Sequence, residues 1–586
     1  MPLKDIRLLK DYLKAHWYVY LFAVLCISAA NITQAYYPKV LGNFTDDLQQ
    51  SGITASSIRN YSLLLLAIGL TYGILGGIGQ YVVMRMGRLF EFVTRKKLFA
   101  HFTTLSESYY SKNGVGKLLS YVMNDVTSVR ESISQGINHT TNAVIIILSV
   151  IVMMILSSIP LYLIMICILP MLAIPWAVVY FGPRIRDRSK KVQEALAGMT
   201  ESAEEQFGGI RVTKKFAVES VMRAKFGQTV DRILDNQVRL VRISSLFQAL
   251  LPFLGALSLI LSLAVGGYLT AHKHITLGNF VSLTLYMRMI VNPLQQIGNV
   301  INTMQRSRAS LERLNALLSL KPEVAEAAHA LPMDSDAVSI RVKGLTFAYP
   351  ESSKPSLRDI SLTLPAGKTL GIIGKTGSGK TTLVKLLLRI YNPPKGTIWL
   401  GNEDIHDVTL ESLRCNIAYV PQDGFLFSTT IRDNIAFHNR DTAFEHVEQA
   451  ARRAQIYDNI VDFPEAFETK LGERGITLSG GQRQRTSLAR GFIKDAPVLI
   501  LDDSVSAVDA VTETKIIDNI RLGRKGKTTI IIAHRISALK HADEIIVLDE
   551  GRIVQRGTHQ QLLAEDGLYA SLYSIQEEGT RYAEGS

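Results

Sequence analysis

Cysteine is scarce in this sequence, and charged side chains are fewer than in an average soluble protein. The 3 cysteines among 586 residues are too few for a disulfide framework, and Cys26, Cys167 and Cys415 are spaced too widely for a zinc site. Charged residues make up 20% of the chain and hydrophobic residues 47%, with a mean hydropathy of +0.15. This composition excludes a disordered tail, a collagen-like fibre and a coiled coil.

Basic residues outnumber acidic ones. The chain has 64 Lys and Arg against 52 Asp and Glu, a formal net charge of +12. With so apolar a composition, this balance fits either a nucleic-acid binder with a large core or a membrane protein with basic cytoplasmic faces. The length predicts several domains, because a domain typically holds about 100–200 residues.

Long apolar stretches decide between these two classes. Several approach ~20 residues, enough for a helix rising ~1.5 Å per residue to cross a hydrocarbon core of ~30 Å. The stretches 142–159 and 160–182 contain no charged residue. Because soluble cores rarely supply so many such runs, the sequence predicts a multi-pass protein of the cell membrane. We expect six membrane helices, near 17–41, 61–84, 141–159, 160–182, 247–271 and 278–298.

The distribution of basic residues predicts the orientation. The first apolar stretch is too long for a signal peptide and follows a charged amphipathic segment that we expect to lie on the membrane surface. Basic residues are concentrated after the second and fourth stretches, whereas the segment from Gly42 to Asn60 holds one, Arg59. The positive-inside rule therefore places both termini and two long loops in the cytoplasm.

The two long loops have helical apolar spacing and many charges. Read as continuations of the membrane helices, they form arms that reach tens of ångströms into the cytoplasm at ~1.5 Å per residue. The arms turn at glycine-containing tips, 113–116 and 208–209. We expect these tips to contact another part of the assembly.

A phosphate-binding loop lies in the C-terminal half, where short β-rich runs alternate with helices as in a soluble α/β domain. The strand 369–373 leads into residues 374–381, which match the pattern GxxxxGK followed by Ser or Thr. Glycines allow backbone N–H groups to surround phosphates. We expect Lys380 to hold the β- and γ-phosphates and Thr381 to hold Mg²⁺. The nucleotide-binding residues predicted here are Gly374, Lys375, Thr376, Gly377, Ser378, Gly379, Lys380, Thr381 and Thr382.

Two further elements accompany this loop. The apolar strand 498–501 ends in Asp502, a carboxylate suited to a water bound to Mg²⁺. Upstream, residues 478–482 read Leu-Ser-Gly-Gly-Gln and open a helix. A Ser-Gly-Gly turn at a helix N-terminus can bind an anion, although an ordinary helix cap uses the same residues.

Together these motifs resemble the nucleotide-binding domain of ABC transporters, and the resemblance extends over the whole chain. It implies a half-size multidrug-type exporter, in which a six-helix all-α membrane domain with long cytoplasmic arms is fused to an α/β P-loop ATPase domain. The arm tips then resemble coupling helices, which dock on nucleotide-binding domains. ATP and Mg²⁺ are the implied cofactors, with Thr381, Gln422 and Asp502 as the metal-holding residues.

The resemblance also implies roles for single residues. The signature motif contacts the γ-phosphate of ATP on the partner subunit's P-loop. Here it spans Leu478 to Gln482, and the residues expected to act in trans are Ser479, Gly480, Gly481 and Gln482. The other matches are Tyr349 as the aromatic that stacks on adenine, Gln422 in the Q-loop, Glu473 in the X-loop, Asp509 in the D-loop and His534 as the switch histidine.

One position departs from the family pattern. In the family, the aspartate at the end of this strand is called the Walker B aspartate, and it corresponds to Asp502 here. The next residue is normally a Glu that orients or activates the attacking water, and in this chain it is Asp503. The shorter side chain sets its carboxylate back by more than ~1 Å, which can cost ~10²-fold in rate. The expected catalytic residues are Asp502, Asp503, Gln422 and His534.

This departure predicts a heterodimer. The chain's own site hydrolyses ATP slowly, whereas its intact signature completes the site of a partner half-transporter that carries a Walker B Glu. A homodimer in which Asp503 is tolerated is the alternative.

The sixth predicted helix carries a polar face. Arg288, Asn292, Gln295, Asn299 and Asn302 are spaced 4, 3, 4 and 3 residues apart, which places them on one side of a helix. An unpartnered charge is costly at membrane depth, so we expect Arg288 and Asn292 to line a substrate cavity. The residues from Gln295 onward fit solvation beyond the bilayer equally well.

We expect ATP-driven export of amphipathic or lipophilic compounds, as in multidrug efflux. Lipid flipping is the main alternative, because Arg288 also suits a lipid headgroup. A channel or regulatory subunit gated by ATP is a third possibility, and nucleic acid is not an expected partner. The expected domains are a membrane domain at 1–322, a linker at 323–337, a nucleotide-binding domain at 338–575 and a polar tail at 576–586.

Overall fold

A computed structural model describes residues 7–50, 54–333, 338–350, 352–472, 475, 477–506 and 508–584. The side chains of residues 50, 295, 297–299, 301–302, 305 and 578–584 lie outside this description, as does Glu473. The chain divides into two compact units. The helical unit runs to Thr104 and again from Asn113 to Leu320, and the α/β unit combines Leu105–Lys112 with the chain from Lys321 onward.

Long helices form the helical unit, because its sequence combines extended apolar runs with helical spacing in the charged segments. Residues 107–112 of the helix α4 belong to the α/β unit, and a short π-helical segment, Tyr121–Asp125, precedes α6. The helices are α1 (Arg7–Ala15), α2 (Trp17–Gln50), α3 (Ala55–Phe102), α4 (Glu107–Asn113), α5 (Val115–Ser120), α6 (Val126–Leu156), α7 (Leu161–Gly208), α8 (Ile210–Phe216), α9 (Glu219–Ala271) and α10 (Leu277–Leu318).

The described residues include 5 helical stretches that are long and apolar enough to cross a membrane. These stretches lie in α2, α3, α5–α6, α7 and α9 and cover the first five predicted spans. The sixth predicted span lies in α10, which has 42 residues but is too polar to join them, since Arg288 and several amide side chains interrupt its apolar sequence. All six predicted helices are therefore long enough to cross a membrane, and five of them are also sufficiently apolar.

The arms are continuous with the membrane-spanning helices. The helix α9 has 53 residues, which corresponds to ~80 Å at ~1.5 Å per residue. The first arm breaks at Gly114, whose φ of 70° favours glycine. The second breaks at Gly209, which separates α7 from α8. Both breaks fall at the tips that the sequence singles out.

The core of the helical unit lies among α2, α6, α7, α9 and α10. Met154, Leu163 and Tyr286 are among its fully buried side chains. The helices α2 and α10 approach closely, because a Cβ atom added to Gly278 would lie 2.1 Å from the carbonyl oxygen of Gly42. Any larger residue at Gly278 would therefore force these two helices apart.

Two sheets form the framework of the described α/β unit. One has the strand order β2-β1-β4-β5 and the other β10-β9-β3-β8-β7-β6. In the larger sheet, β3, β6, β7, β8 and β9 pair in parallel and β10 is antiparallel. The strands are β1 (Ile340–Phe347), β2 (Leu357–Leu364), β3 (Thr369–Gly374), β4 (Ile398–Leu400), β5 (Glu403–Asp404), β6 (Ile417–Val420), β7 (Val498–Asp502), β8 (Thr528–Ile532), β9 (Glu544–Asp549) and β10 (Arg552–Gly557).

Helices cover the larger sheet, so every residue of β7 and of β8 is buried, as expected for parallel strands covered on both faces. Short 3₁₀ helices occupy Ala466–Glu468 and Ile536–Ala538. The helices of this unit are α11 (Lys380–Leu387), α12 (Leu410–Cys415), α13 (Ile431–Ile435), α14 (Phe444–Arg453), α15 (Tyr457–Val461), α16 (Gly480–Ile493), α17 (Ala510–Gly523), α18 (His559–Ala564) and α19 (Leu568–Glu584).

The predicted polar tail is helical over its described residues. Residues 576–584, predicted to begin a polar tail, continue the helix α19. Leu568 and Leu572 pack against the core of the α/β unit, so the first turns of α19 are fixed and the polar residues extend the same helix.

Candidate nucleotide-binding site and membrane cavity

The candidate nucleotide site lies at the carboxyl ends of three neighbouring parallel strands. The strand β8 lies between β3 and β7, and Asp502 of β7 is level with Ile532 of β8. The glycine-rich loop after β3, the carboxylates after β7 and the histidine after β8 therefore meet at one edge of the sheet. Open α/β sheets bind ligands at this edge.

Glycine is required at specific points of the loop. Gly377 and Gly379 have φ values of 81° and 101°, which residues with a Cβ rarely adopt. A Cβ atom on Gly374 would lie 2.1 Å from the carbonyl oxygen of Leu548. Side chains at these three positions would therefore disturb the path of the loop from β3 into α11.

Lys380 is buried at the start of α11. Its Nζ donates hydrogen bonds to the carbonyl oxygens of Gly374 at 2.8 Å and Lys375 at 2.9 Å. Burial lowers the pKa of Lys380, and the nearby carboxylates of Asp503 and Asp502 partly offset this. Ser378 Oγ is also buried and has no hydrogen-bond partner among the described residues, so both groups are available to an anionic ligand.

Asp502 is fully buried beside the loop. Its carboxylate accepts hydrogen bonds from Thr381 Oγ1 at 3.4 Å and from the Tyr419 hydroxyl at 3.3 Å. Burial raises the pKa of Asp502, and these two hydrogen bonds oppose the rise. The hydroxyl of Thr381, the carboxylate of Asp502 and the amide oxygen of Gln422 are oxygen donors of the kind that Mg²⁺ prefers, so the predicted metal-holding residues fit the ion chemically.

Asp503 lies next to a second set of partners. Its Oδ2 accepts a hydrogen bond from Gln422 Nε2 at 3.2 Å and lies 4.0 Å from His534 Nε2. Its Oδ1 is buried and has no partner among the described residues. The backbone of Asp503 has a φ of 48°, and its carbonyl oxygen accepts a hydrogen bond from Gln484 Nε2 at 3.0 Å.

The signature residues form the N-terminus of α16. Ser479 Oγ accepts from the Gln482 N–H, and Gln482 Oε1 accepts from the Ser479 N–H, which makes a capping box. Ser479 and Gly480 are exposed. Among the described contacts, no hydrogen bond or ion pair joins Ser479, Gly480, Gly481 or Gln482 to the P-loop of the same chain.

Two other predicted residues have clear structural positions. The Tyr349 hydroxyl lies 3.0 Å from Thr382 Oγ1, and its ring packs edge-on against Tyr391 at a centroid distance of 5.1 Å. Asp509 caps α17 by accepting a hydrogen bond from the Thr512 N–H at 2.9 Å. Adenine stacking by Tyr349 and a D-loop role for Asp509 remain predictions.

Three contributors were missed in the sequence. Tyr419 donates a hydrogen bond to the carboxylate of Asp502, 83 residues away, and Gln484 donates one to the backbone carbonyl oxygen of Asp503, 19 residues away. No motif signalled either residue. The third is Glu107 of α4, whose Oε1 accepts a hydrogen bond from Lys385 Nζ of α11 at 2.6 Å. Both residues belong to the α/β unit.

A polar cavity of about 440 Å³ lies within the helical unit. Arg288 and Asn292, predicted as cavity residues, line it with Asn31, Asn142 and Gln296. Asn142 lies 14 residues before the end of α6 at Leu156, a distance of ~21 Å along the helix axis. Asn142 thus lies at the start of the predicted span 141–159, whereas Arg288 lies near the middle of the predicted span 278–298.

Amide side chains organise this cavity. Asn31 Nδ2 donates to Asn142 Oδ1 at 2.7 Å, and His139 Nδ1 lies 3.0 Å from Gln296 Oε1. Arg288 is exposed, and among the described residues no carboxylate forms a salt bridge with it. An uncompensated charge at the centre of a membrane helix costs about 2.5–3.5 kcal/mol, which makes Arg288 a candidate functional residue of this cavity.

Comparison with known proteins agrees with this geometry. Residues 20–294 match the family model of the ABC transporter transmembrane region, and residues 357–506 match that of the ABC transporter. The chain is 36% identical over 567 residues to the probable multidrug resistance ABC transporter ATP-binding/permease protein YheI of Bacillus subtilis strain 168, covering 97% of this chain and 96% of YheI. The chain belongs to the ABC transporter family.

Other relatives of this ABC transporter carry different names. It is 32% identical over 514 residues to an ATP-dependent lipid A-core flippase of Syntrophus aciditrophicus strain SB, covering 87% of this chain and 85% of the flippase. A solved bacterial Atm1-family ABC exporter with ATP bound matches with a TM-score of 0.78 and 26% identity, over 96% of this chain and 98% of the exporter.

These findings establish the class of the protein. It is a multi-pass membrane protein with the fold of Atm1-family ABC exporters, a helical membrane domain fused to an α/β nucleotide-binding domain. Its activity is ATP hydrolysis coupled to transport across a membrane.

The contact between Tyr419 and Asp502 predicts an effect on metal binding. Replacing Tyr419 by Phe removes a hydrogen bond that favours the ionised carboxylate, so the pKa of Asp502 should rise further. Because the metal binds the ionised form, we expect Mg²⁺ affinity in the presence of ATP to fall about threefold to tenfold at acidic pH, where protonation of Asp502 competes with the metal. The pH at which acidification halves Mg²⁺ binding should also shift upward.

Titration of the purified transporter with Mg²⁺ at several pH values measures both quantities. Tyr457→Phe is the matched control, since Tyr457 lies in α15 and makes no described contact with Asp502. An unchanged pH dependence in Tyr419→Phe would show that the hydroxyl does not influence the metal site.

Proposed function

We propose that this chain is one half of a heterodimeric exporter, in which it binds ATP at its own P-loop but hydrolyses it slowly there. The observation that carries the proposal is the carboxylate of Asp503. It stands where the family has Glu, is engaged by Gln422 at 3.2 Å, and lies 4.0 Å from His534. A side chain shorter by one methylene holds its carboxylate back from the position of the attacking water.

The signature motif supports the second half of the proposal. Its Ser-Gly-Gly turn is intact and capped, Ser479 and Gly480 are exposed, and the turn makes no described contact with the P-loop of its own chain. We infer that it completes the nucleotide site of a partner half-transporter that carries a Walker B Glu. We infer that the chain resembles BmrC, a subunit of the bacterial BmrC–BmrD multidrug exporter.

The tip of the second arm supports a partner subunit as well. Phe207 near the end of α7 and Phe216 at the end of α8 have 75% and 73% of their surface exposed. Large aromatic residues at the end of a charged arm are expected to be covered in the assembled protein. We propose that this tip is a coupling helix that docks on the nucleotide-binding domain of the partner.

A further part of the proposal concerns cofactor and orientation. Mg²⁺ is held with ATP by Thr381, Gln422 and Asp502, and His534 contacts the γ-phosphate. Both termini and the nucleotide-binding domain are cytoplasmic, as the basic arms predict. The cargo is a class of amphipathic or lipophilic compounds, which enter the cavity lined by Arg288 and Asn292.

The oligomeric state gives the decisive experiment. The chain is purified alone and together with candidate partner half-transporters, and ATP hydrolysis is compared at matched concentration. We expect weak hydrolysis from the chain alone and strong hydrolysis from one heterodimer. Vigorous hydrolysis by the chain alone that Asp503→Asn leaves unchanged would overturn the proposal.

Lipid flipping is a second candidate function, and the uncompensated charge of Arg288 favours it. The cavity presents one cation together with neutral amides from Asn31, Asn142 and Asn292. A lipid with an anionic headgroup matches both features, because charge-assisted hydrogen bonds to Arg are among the strongest polar contacts. The flippase named among the relatives belongs to the same family.

The charge of Arg288 therefore predicts cargo selectivity. In nanodiscs, we expect Arg288→Gln to reduce the stimulation of ATP hydrolysis by anionic lipids about fivefold or more, whereas Arg288→Lys retains most of it. Arg306→Gln, on the same helix but outside the cavity lining, is the control. Stimulation by lipophilic dyes alone, unaffected by Arg288→Gln, would favour drug export over lipid flipping.

A further inference from the structure

The helix α19 contacts the loop that carries His534. Gln576 Oε1 accepts a hydrogen bond from the Ile536 N–H at 3.0 Å, and Gln576 Nε2 donates one to the His534 carbonyl oxygen at 2.7 Å. One side-chain amide thus pairs with two backbone groups on either side of Arg535. Gln576 and His534 are separated by 42 positions in the sequence.

The opposite side of this loop is held by an ion pair. The Arg535 guanidinium donates to Glu513 Oε2 at 2.8 Å and to the Val508 carbonyl oxygen at 3.2 Å. Glu513 is buried and also accepts a hydrogen bond from the Ser537 hydroxyl. The backbone of the loop is therefore fixed between α17 on one side and α19 on the other.

The imidazole of His534 has no such support of its own. Its side chain is 42% exposed, and its nearest described ionic neighbour, Asp503 Oδ2, is 4.0 Å away. No described hydrogen bond holds the ring, so its direction depends on the backbone at residue 534. The group that fixes the carbonyl of that residue is the amide of Gln576.

We propose that Gln576 is a positioning residue for His534 and acts through the backbone of the switch loop. The proposal rests on the proposed role of His534 at the γ-phosphate. The C-terminal helix then influences the nucleotide site. A displacement of α19 would shift the position of the His534 carbonyl group and so change the orientation of the imidazole ring. A ring that is misplaced by ~1 Å loses much of its effect on the transition state.

Two variants separate the two hydrogen bonds. Gln576→Met keeps the length of the side chain and removes both, whereas Gln576→Glu keeps the acceptor for the Ile536 N–H and removes the donor to the His534 carbonyl. The matched control is Ile575→Ala, because the neighbouring Ile575 side chain is 66% exposed. Thermal unfolding of each variant checks that the fold is retained.

Hydrogen exchange provides a readout that does not depend on activity. In the full-length transporter, we expect Gln576→Met to accelerate exchange of the peptide that contains Ile536 about tenfold, since an amide that loses its acceptor is less protected. Gln576→Glu should preserve this protection, and Ile575→Ala should not alter it. Equal exchange of the switch-loop peptide in Gln576→Met and the unmodified protein would overturn the proposal.

Kinetics provide the second readout. The experiment uses the heterodimer with Asp503→Glu, so that hydrolysis at this chain's own site is measurable, and with the partner's catalytic Glu replaced by Gln. We expect Gln576→Met and Gln576→Glu each to lower kcat about fivefold to tenfold with little change in KM for ATP, because the affected contact strengthens in the transition state. Ile575→Ala should leave both constants unchanged.

The two readouts distinguish the possible failures. If Asp503→Glu adds no hydrolysis, the proposal of a slow site fails, whereas hydrogen exchange still decides whether Gln576 holds the loop. If Gln576→Met alters exchange only within α19, the residue merely anchors the helix and the positioning role is wrong. A selective loss of kcat with faster exchange at Ile536 supports it.

Discussion

Replacing Asp503 by Glu should raise ATP hydrolysis at this chain's own nucleotide site by about one to two orders of magnitude. The added methylene advances the carboxylate toward the region where the γ-phosphate is expected. In the structure, Asp503 Oδ1 is buried without a described partner, and Oδ2 lies 3.2 Å from Gln422 Nε2. Gln422 and His534 thus already lie near the carboxylate, and we expect the short side chain of Asp503 to limit hydrolysis.

Site-resolved measurement is needed to detect this gain. The partner's Walker B Glu is replaced by Gln, so that the remaining hydrolysis reports on the site formed by Lys380 and Asp503. In this background Asp503→Asn serves as the matched control, because it keeps the length of the side chain and removes the charge. A rate that Asp503→Glu leaves unchanged would mean that the shorter carboxylate is not what limits hydrolysis at this site.

Replacing Ser479 by Asp should reduce total hydrolysis by the heterodimer about 10²-fold or more. Asp is as good an N-cap as Ser, so the capping of α16 is preserved. The new carboxylate, however, faces the γ-phosphate of the partner's ATP according to the proposed role of the signature. Loss of a preorganised donor to a developing negative charge costs about 10²–10³-fold, and repulsion between like charges adds to this loss.

The chain contains a matched control for this substitution. Thr558 begins α18 with the same kind of capping box, in which Gln561 is the reciprocal residue. Thr558→Asp therefore introduces the same charge at an equivalent helix position and should leave hydrolysis unchanged. ATP binding at Lys380 should persist in Ser479→Asp. Full hydrolysis in the Ser479 variant would show that this signature does not complete the productive site.

The sequence predicted a glycine-rich loop between a strand and a helix, and the structure has β3 and α11 at these positions. The glycines, Lys380 and Thr381 lie within eight consecutive residues, and the positive φ of Gly377 and Gly379 follows from the path that such a loop must take around phosphates. Hydropathy similarly located the first five membrane spans, because apolar side chains in a helix need only sufficient length to cross a bilayer.

Sequence patterns did not predict the contacts between residues that are far apart in the chain. Tyr419 meets Asp502 only because β6 lies beside β7, and Gln576 meets the His534 loop only because α19 folds back onto the α/β unit. The polar tail predicted from residue 576 was assigned from composition alone. Composition describes the solvent preference of a segment, whereas these contacts depend on which elements pack together.

The sequence by itself determined that this protein is a membrane-embedded ABC transporter and that Asp503 stands in place of Glu. Those features are written in consecutive residues, since a phosphate loop, a strand end and an apolar helix are each specified locally. Only the tertiary structure decided that Arg288 shares a cavity with Asn31 and Asn142, and that Gln576 holds the switch loop. These sites bring together side chains from different helices and loops, and the free energy that places them comes from packing between elements remote in the chain.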